Sequence, residues 1–159
     1  MNSYLIMIIV FLLGLILGAI GAGRYISKNY VWRNKKEAEA YVSMAELFNQ
    51  WLIFRHDGNG IDKYLIEKGY KKVVIYGMSP IGERLYDELQ DTGVEIVSGI
   101  DTDGAGFPES YKICDTLENV ADIDVIIVTD IENKDKLCEE LSRQHDANVI
   151  AIDNILYCV

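Results

Sequence analysis

Apolar and polar positions along the chain follow three different rhythms. From Tyr4 to Gly23 the sequence reads YLIMIIVFLLGLILGAIGAG, 20 residues without a charge. As a helix rising about 1.5 Å per residue, this run would span roughly 30 Å, the depth of a bilayer's hydrocarbon core. From about Lys35 to Arg55 the rhythm changes. Ala38, Tyr41, Val42, Ala45, Leu47, Phe48, Trp51, Leu52 and Phe54 recur mainly at three- and four-residue spacing, which predicts an amphipathic helix stopped by the turn Asp57-Gly58-Asn59-Gly60. Its apolar face needs a cover, and the body of the domain is the expected one. A short helix, GIDKYLIEKGY, follows, with Asp62 near its start and Gly69 as its stop.

From Lys71 the third rhythm is a regular alternation. KVVIYG reads as a strand, PIGERLYDELQDTG as a helix, VEIVSGID and DVIIVTD as strands, NKDKLCEELSRQHD as a helix and NVIAID as a last strand. A short extended piece, YKIC, and a turn of helix, TLENVAD, fill the interval between the second and third strands. Strands apolar throughout, alternating with helices, predict a parallel sheet covered on both faces, and so a small doubly wound α/β domain. Ligands of such sheets lie beyond the carboxyl ends of the strands, at the point where the strand order reverses. Gly77, Asp101 and Asp130 fall at that edge.

Charge divides the chain again. Arg24, Lys28, Arg33, Lys35 and Lys36 follow the apolar run with no acid among them, and only Met1, Asn2 and Ser3 precede it. A cleaved signal peptide carries its positive charge ahead of the apolar run, so this order reads as an uncleaved single-pass anchor, N-terminus outside and domain cytoplasmic, at the cell membrane. The basic collar suits anionic headgroups. Beyond it, ten Lys and Arg stand against all 25 Asp and Glu, a balance that repels nucleic acid. Within the run, Gly14, Gly18 and Ala22 make a stripe of small side chains that lets a second helix approach. Glycine is also common in membrane helices, so a homodimer through this stripe stays open. The expected organisation is an anchor over 1–23, a basic segment over 24–36, a helical connector over 37–70 and the α/β domain over 71–159.

Residue supply limits the chemistry. Cys114, Cys138 and Cys158 are odd in number and lack metal-ligand spacing, so they read as reduced and mostly packed thiols. His56 and His145 are the only histidines and pair neither with each other nor with a cysteine, which disfavours a zinc site or a Ser-His-Asp triad. Tyr64 and Lys68 spell the Y-x-x-x-K pair of short-chain dehydrogenases, but they precede the glycine loop rather than follow it.

The glycine loop is the strongest signal. A dinucleotide fingerprint has G-x-G-x-x-G after the first strand, and this chain has Gly77, Ser79 and Gly82. The first and third positions keep their roles, a tight turn and close packing of helix on sheet. Ser79 adds a Cβ where backbone should approach a pyrophosphate, Pro80 removes one N–H, and Glu83 adds negative charge. Ser79 before Pro80 is also an ordinary helix start, an N-cap followed by proline at N1. Asp101 ends the second strand 24 positions after Gly77, close to the spacing of about 20 for a carboxylate on a ribose diol. Asp101 and Asp103 would repel a 2′-phosphate, which disfavours NADP. Asp130, after Thr129, either touches a ligand or caps the next helix. The candidate nucleotide-binding residues are thus Gly77, Met78, Ser79, Ile81, Gly82, Asp101, Asp103, Thr129 and Asp130.

The stretches NQWL, KYLIEKGYKKVVIYGMSPIGERLYDEL, GID, DVIIVTD and IDNILY carry a resemblance. Over about Trp51 to Tyr157 the chain resembles a Rossmann-like domain of bacterial surface-polysaccharide and sugar-modifying proteins. It is also similar to the N-terminal sugar-nucleotide-binding domain of sugar O-acyl- and N-acetyltransferases. The resemblance implies a Rossmann-like doubly wound parallel sheet, preceded here by helices and one N-terminal transmembrane helix, with a UDP- or dTDP-sugar site lined by the glycine loop and the acids ending the second strand. NAD is the other candidate cofactor. The expected function is a membrane-anchored cytoplasmic nucleotide- or nucleotide-sugar-binding module, noncatalytic alone, beside polysaccharide-assembly enzymes. Two alternatives remain: an NAD-dependent oxidoreductase or sugar-nucleotide epimerase completed by a partner, and a degenerate scaffold acting only in protein–protein interaction.

Overall fold

A computed structural model of the chain describes the backbone of residues 3–101, 107–118 and 120–158, together with part of the side chains of the first helix. The chain divides into two compact units, Met1–Val42 and Ser43–Val159. One helix, α1 (Ser3–His56), runs through the whole N-terminal part, so the connector helix expected from Lys35 is its continuation. It does stop where the Asp57-Gly58 turn predicts, with Gly58 at φ +82°.

The expected anchor over 1–23 is corrected here. Among the described residues no helix is long and apolar enough to cross a membrane. Further along α1 lie the exposed i,i+4 pairs Arg33–Glu37 at 3.8 Å and Lys35–Glu39 at 3.6 Å.

The second unit is α/β. It contains the end of α1, then α2 (Ile61–Glu67), β1 (Lys72–Tyr76), α3 (Pro80–Leu89), β2 (Glu95–Ile100), β3 (Ile113–Cys114), β4 (Val125–Val128), α4 (Lys134–Gln144), β5 (Asn148–Ala151) and α5 (Ile152–Leu156). All pairings are parallel, in the order β3-β2-β1-β4-β5. The strand order therefore reverses between β1 and β4, which are hydrogen-bonded neighbours from Val73 with Val125 to Tyr76 with Val128.

Alternation along the central strands sorts side chains onto two faces. Val73, Ile75, Val125 and Ile127 pack with Leu47, Trp51 and Phe54 of α1, Ile61 and Leu65 of α2, Leu85 and Leu89 of α3, and Ile155 of α5. Val74, Ile126 and Val128 face the other way, onto Leu141 of α4 and Leu117. Burial on both faces is why these strands read as unbroken apolar runs.

Three details of the sequence reading are corrected. Tyr41, Val42 and Leu52 are 68%, 56% and 70% exposed, because at 100° per residue they lie away from the stripe of Leu47, Trp51 and Phe54 that meets the domain. The strand expected over NVIAID ends at Ala151, where Ile152 and Asp153 begin α5. The TLENVAD stretch closes a hydrogen-bonded turn, Val120 N–H to Leu117 O at 3.0 Å, rather than a helix among its described residues.

Glu88 fastens the first face. Its carboxylate accepts from Trp51 Nε1 at 2.7 Å, Arg55 Nη1 at 3.3 Å and the Ile61 N–H at 3.4 Å, joining α1, α2 and α3. Beyond β2 the chain returns against α3: Tyr111 stacks on Tyr86 with ring centroids 4.1 Å apart and donates to Asp87, and the Lys112 N–H donates to the Tyr86 hydroxyl at 2.8 Å. These contacts seat β3 beside β2.

Candidate functional site

The turn after β1 is built by two glycines in different ways. Gly77 has φ +99°, a conformation that L side chains resist, and its N–H donates to Ile100 O at 3.0 Å, tying the turn to the end of β2. Gly82, in the first turn of α3, abuts that peptide. A Cβ there would overlap the Gly77 carbonyl oxygen and lie 3.1 Å from its carbon. Glycine at 82 thus lets the helix start close over the strand end, the third role of the fingerprint.

Thr129, only 1% exposed, closes the turn from the β4 side. Its N–H donates to Tyr76 O at 3.0 Å, and its hydroxyl reaches both Tyr76 O, at 3.1 Å, and Gly77 O. Met78 and Ile81 are each 3% exposed and belong to the core beneath α3; a Cβ on Gly99 of β2 would run into the Met78 side chain. Ser79 is exposed and occupies the N-cap position with Pro80 at N1, but its hydroxyl makes no capping bond.

The acids separate by role. Asp101 follows β2 directly, half-buried, and its N–H donates to Cys114 O at 3.1 Å. Asp130 Oδ1 accepts from the N–H groups of Glu132 and Asn133, both at 3.0 Å, while Oδ2 accepts from Asn133 Nδ2 at 2.9 Å. It shapes the turn that leads into α4, whose N-cap is Asn133. Asp103 lies outside the described residues.

The structure therefore brings Gly77, Gly82 and Thr129 together at the strand-order reversal and sets Asp101 at the end of the adjoining strand. Ser79 stands at the helix start in solvent, whereas Met78 and Ile81 are turned into the core. Sequence reasoning missed the pair on the β4–β5 side of the same edge. Lys134, first residue of α4, is bonded to Asp153 of α5, and that contact raises the lysine's pKa. The other oxygen of Asp153 is buried without a protein partner. The signal that could have found this pair was Asp153 itself, a carboxylate two residues after the last apolar strand.

Electrostatically the edge is acidic, with Glu83 in the first turn of α3 and Asp101 and Asp130 beyond β2 and β4. Lys134 is committed to Asp153, and Arg84 lies 3.5 Å from Asp87. At this edge stand the N-terminus of α3, where Pro80 has no N–H, and the half-buried Asp101 after β2.

Elsewhere, His56 ends α1 and His145 stands at the C-cap of α4. The thiols are free, but Cys114 and Cys158 are exposed rather than packed, Cys114 at the end of the two-residue strand β3 and Cys158 beyond the end of α5.

No protein-family model, no curated protein and no solved structure matches the chain. The resemblance to polysaccharide-associated and sugar-acyltransferase domains, with a fused membrane helix, is accordingly corrected. The short motifs that carried it describe how a strand, a glycine turn and a helix pack, which many parallel α/β sheets share.

Proposed function

We propose that the unit from Ser43 to Val159 is a Rossmann-like nucleotide- or nucleotide-sugar-binding module, noncatalytic by itself. Its ligand lies across the carboxyl ends of β1, β2 and β4, between the Gly77–Gly82 turn and Asp101. The observation that carries this reading is the strand order β3-β2-β1-β4-β5, whose reversal falls at the glycine turn. Asp101 is the group for a ribose diol, and its charge favours NAD or a UDP- or dTDP-sugar over NADP.

One observation favours a second reading, a scaffold that has lost its ligand. Met78, Ile81 and Thr129 are spent on packing, and Pro80 removes a donor from the helix start. A thermal-shift panel on the full chain separates the two, with NAD, NADH, NADP, UDP, UDP- and dTDP-sugars, coenzyme A and ATP. Ligand at 100 times its dissociation constant adds about 2.7 kcal/mol, a shift of several degrees. A shift with NAD or a nucleotide sugar, and a weaker one with NADP, supports the binding module. Silence across the panel at millimolar ligand supports the scaffold.

A further inference from the structure

We infer that Thr129 is a positioning residue that fixes the direction of the Gly77–Met78 peptide, and with it the polarity that the turn presents at the strand ends. Tyr76 O already accepts the Thr129 N–H at 3.0 Å. A hydroxyl has one proton, and it goes to Gly77 O, the nearer of its two carbonyl acceptors and the one not already taking the Thr129 N–H. The Gly77 carbonyl is thereby held toward β4.

Peptide planarity does the rest. In a trans peptide the N–H points opposite to the C=O, so the Met78 N–H is turned away from β4 as long as the bond persists. Gly77, at φ +99° and without a Cβ, offers little resistance of its own to rotation of that peptide. Gly82 supplies the space in which the carbonyl sits, since a Cβ there would overlap it. Three residues, one just after β1, one in the first turn of α3 and one just after β4, thus compose one latch. If it opened, the peptide could turn over and exchange a donor for an acceptor at the turn. The latch stands on this geometry alone; only the ligand it serves rests on the nucleotide-binding reading.

The test compares the full chain with Thr129→Ser, which keeps the hydroxyl, and Thr129→Val, which keeps the shape and removes it. Amide hydrogen exchange is read over the segment 76–83 and over α2 and β5 as references. Loss of the latch should speed exchange in 76–83 by about tenfold in the valine protein, with α2 and β5 within about twofold and the serine protein like wild type. Unchanged exchange in the valine protein, an equal rise in all segments, or serine behaving as valine would each overturn the inference. Should the valine protein fail to fold, the wild type still decides: the Thr129 hydroxyl proton should give a slowly exchanging NMR resonance close to Gly77, and fast exchange of it with water overturns the latch. Titration of the same proteins with NAD and UDP keeps the two claims apart. No binding to wild type with the latch intact refutes the nucleotide reading alone, whereas binding that valine leaves unchanged refutes the role of the latch in recognition.

Discussion

Replacing Gly82 with alanine tests the close approach of α3 to β1. The added Cβ would overlap the Gly77 carbonyl oxygen and lie 3.1 Å from the Gly77 carbonyl carbon and 3.3 Å from the Thr129 hydroxyl. Non-bonded carbons pack at about 3.5–4.0 Å, so the start of α3 must retreat by on the order of 1 Å. The obstacle is backbone on one side and a fully bonded hydroxyl on the other, and neither can swing aside as a flexible side chain does. Overpacking of this kind costs about 1–3 kcal/mol. Alanine regains up to about 1 kcal/mol of helix propensity, less in a first turn. The net expectation is a loss of about 1–2 kcal/mol, or roughly 4–10 °C in Tm. Urea denaturation followed by the fluorescence of the buried Trp51, in a Trp32→Phe background, measures it as a lower midpoint at unchanged slope. An alanine protein as stable as the parent, or more so, would refute the reasoning, because that is how an uncrowded helical glycine behaves.

Four further outcomes follow from particular contacts. Glu88→Ala strips the Trp51 indole N–H of its acceptor and should cost about 1–3 kcal/mol in the same assay, with Glu88→Gln recovering part of the loss. Ser79→Ala should change stability by less than about 0.5 kcal/mol, well under the usual N-cap penalty of about 1, since the hydroxyl makes no capping bond. The N–H groups of Lys71 and Lys72, both 2.8 Å from Asp124 Oδ2, hold that carboxyl below its ordinary value. Its stabilising effect is present above the unfolded-state pKa of about 4 and lost as pH falls through the lower folded value, so Asp124→Asn should flatten the acid limb of the stability–pH curve. Burial and the bond to Asp87 push Tyr111 up to about 12. Folding then favours its protonated form, a contribution present below an unfolded-state pKa of about 10 and lost as pH rises toward the folded value. Tyrosinate absorbance should show a titration at about 12 that disappears in Tyr111→Phe.

What could be read before the fold was known is local chemistry. β1 and β4 were legible because strands buried on both faces leave no polar break, and Gly77 and Gly82 because only backbone crowding demands glycine at that spacing. The α1 stripe was half legible: three- and four-residue spacing finds a helix, but Tyr41, Val42 and Leu52 satisfy the same spacing and remain exposed. α5 was hidden because five residues, Ile152–Leu156, are too few to show a helical period after an apolar strand. At the site, the positions of Gly77, Gly82 and Asp101 could be read from spacing. The inward turn of Met78 and Thr129 could not, since it depends on β2 and β4, which arrive from later in the chain. The same holds for Glu88, whose three donors belong to elements that meet only on folding.

The central claim is that a nucleotide sits at the strand-order reversal, and the most direct measurement locates the ligand rather than merely detecting it. Hydrogen exchange of the full chain with and without millimolar NAD or UDP-sugar should show slowed exchange in the Gly77–Gly82 turn and at the end of β2 near Asp101, with β5 and α2 unaltered. Protection confined to other segments, or none with either ligand, would contradict the account.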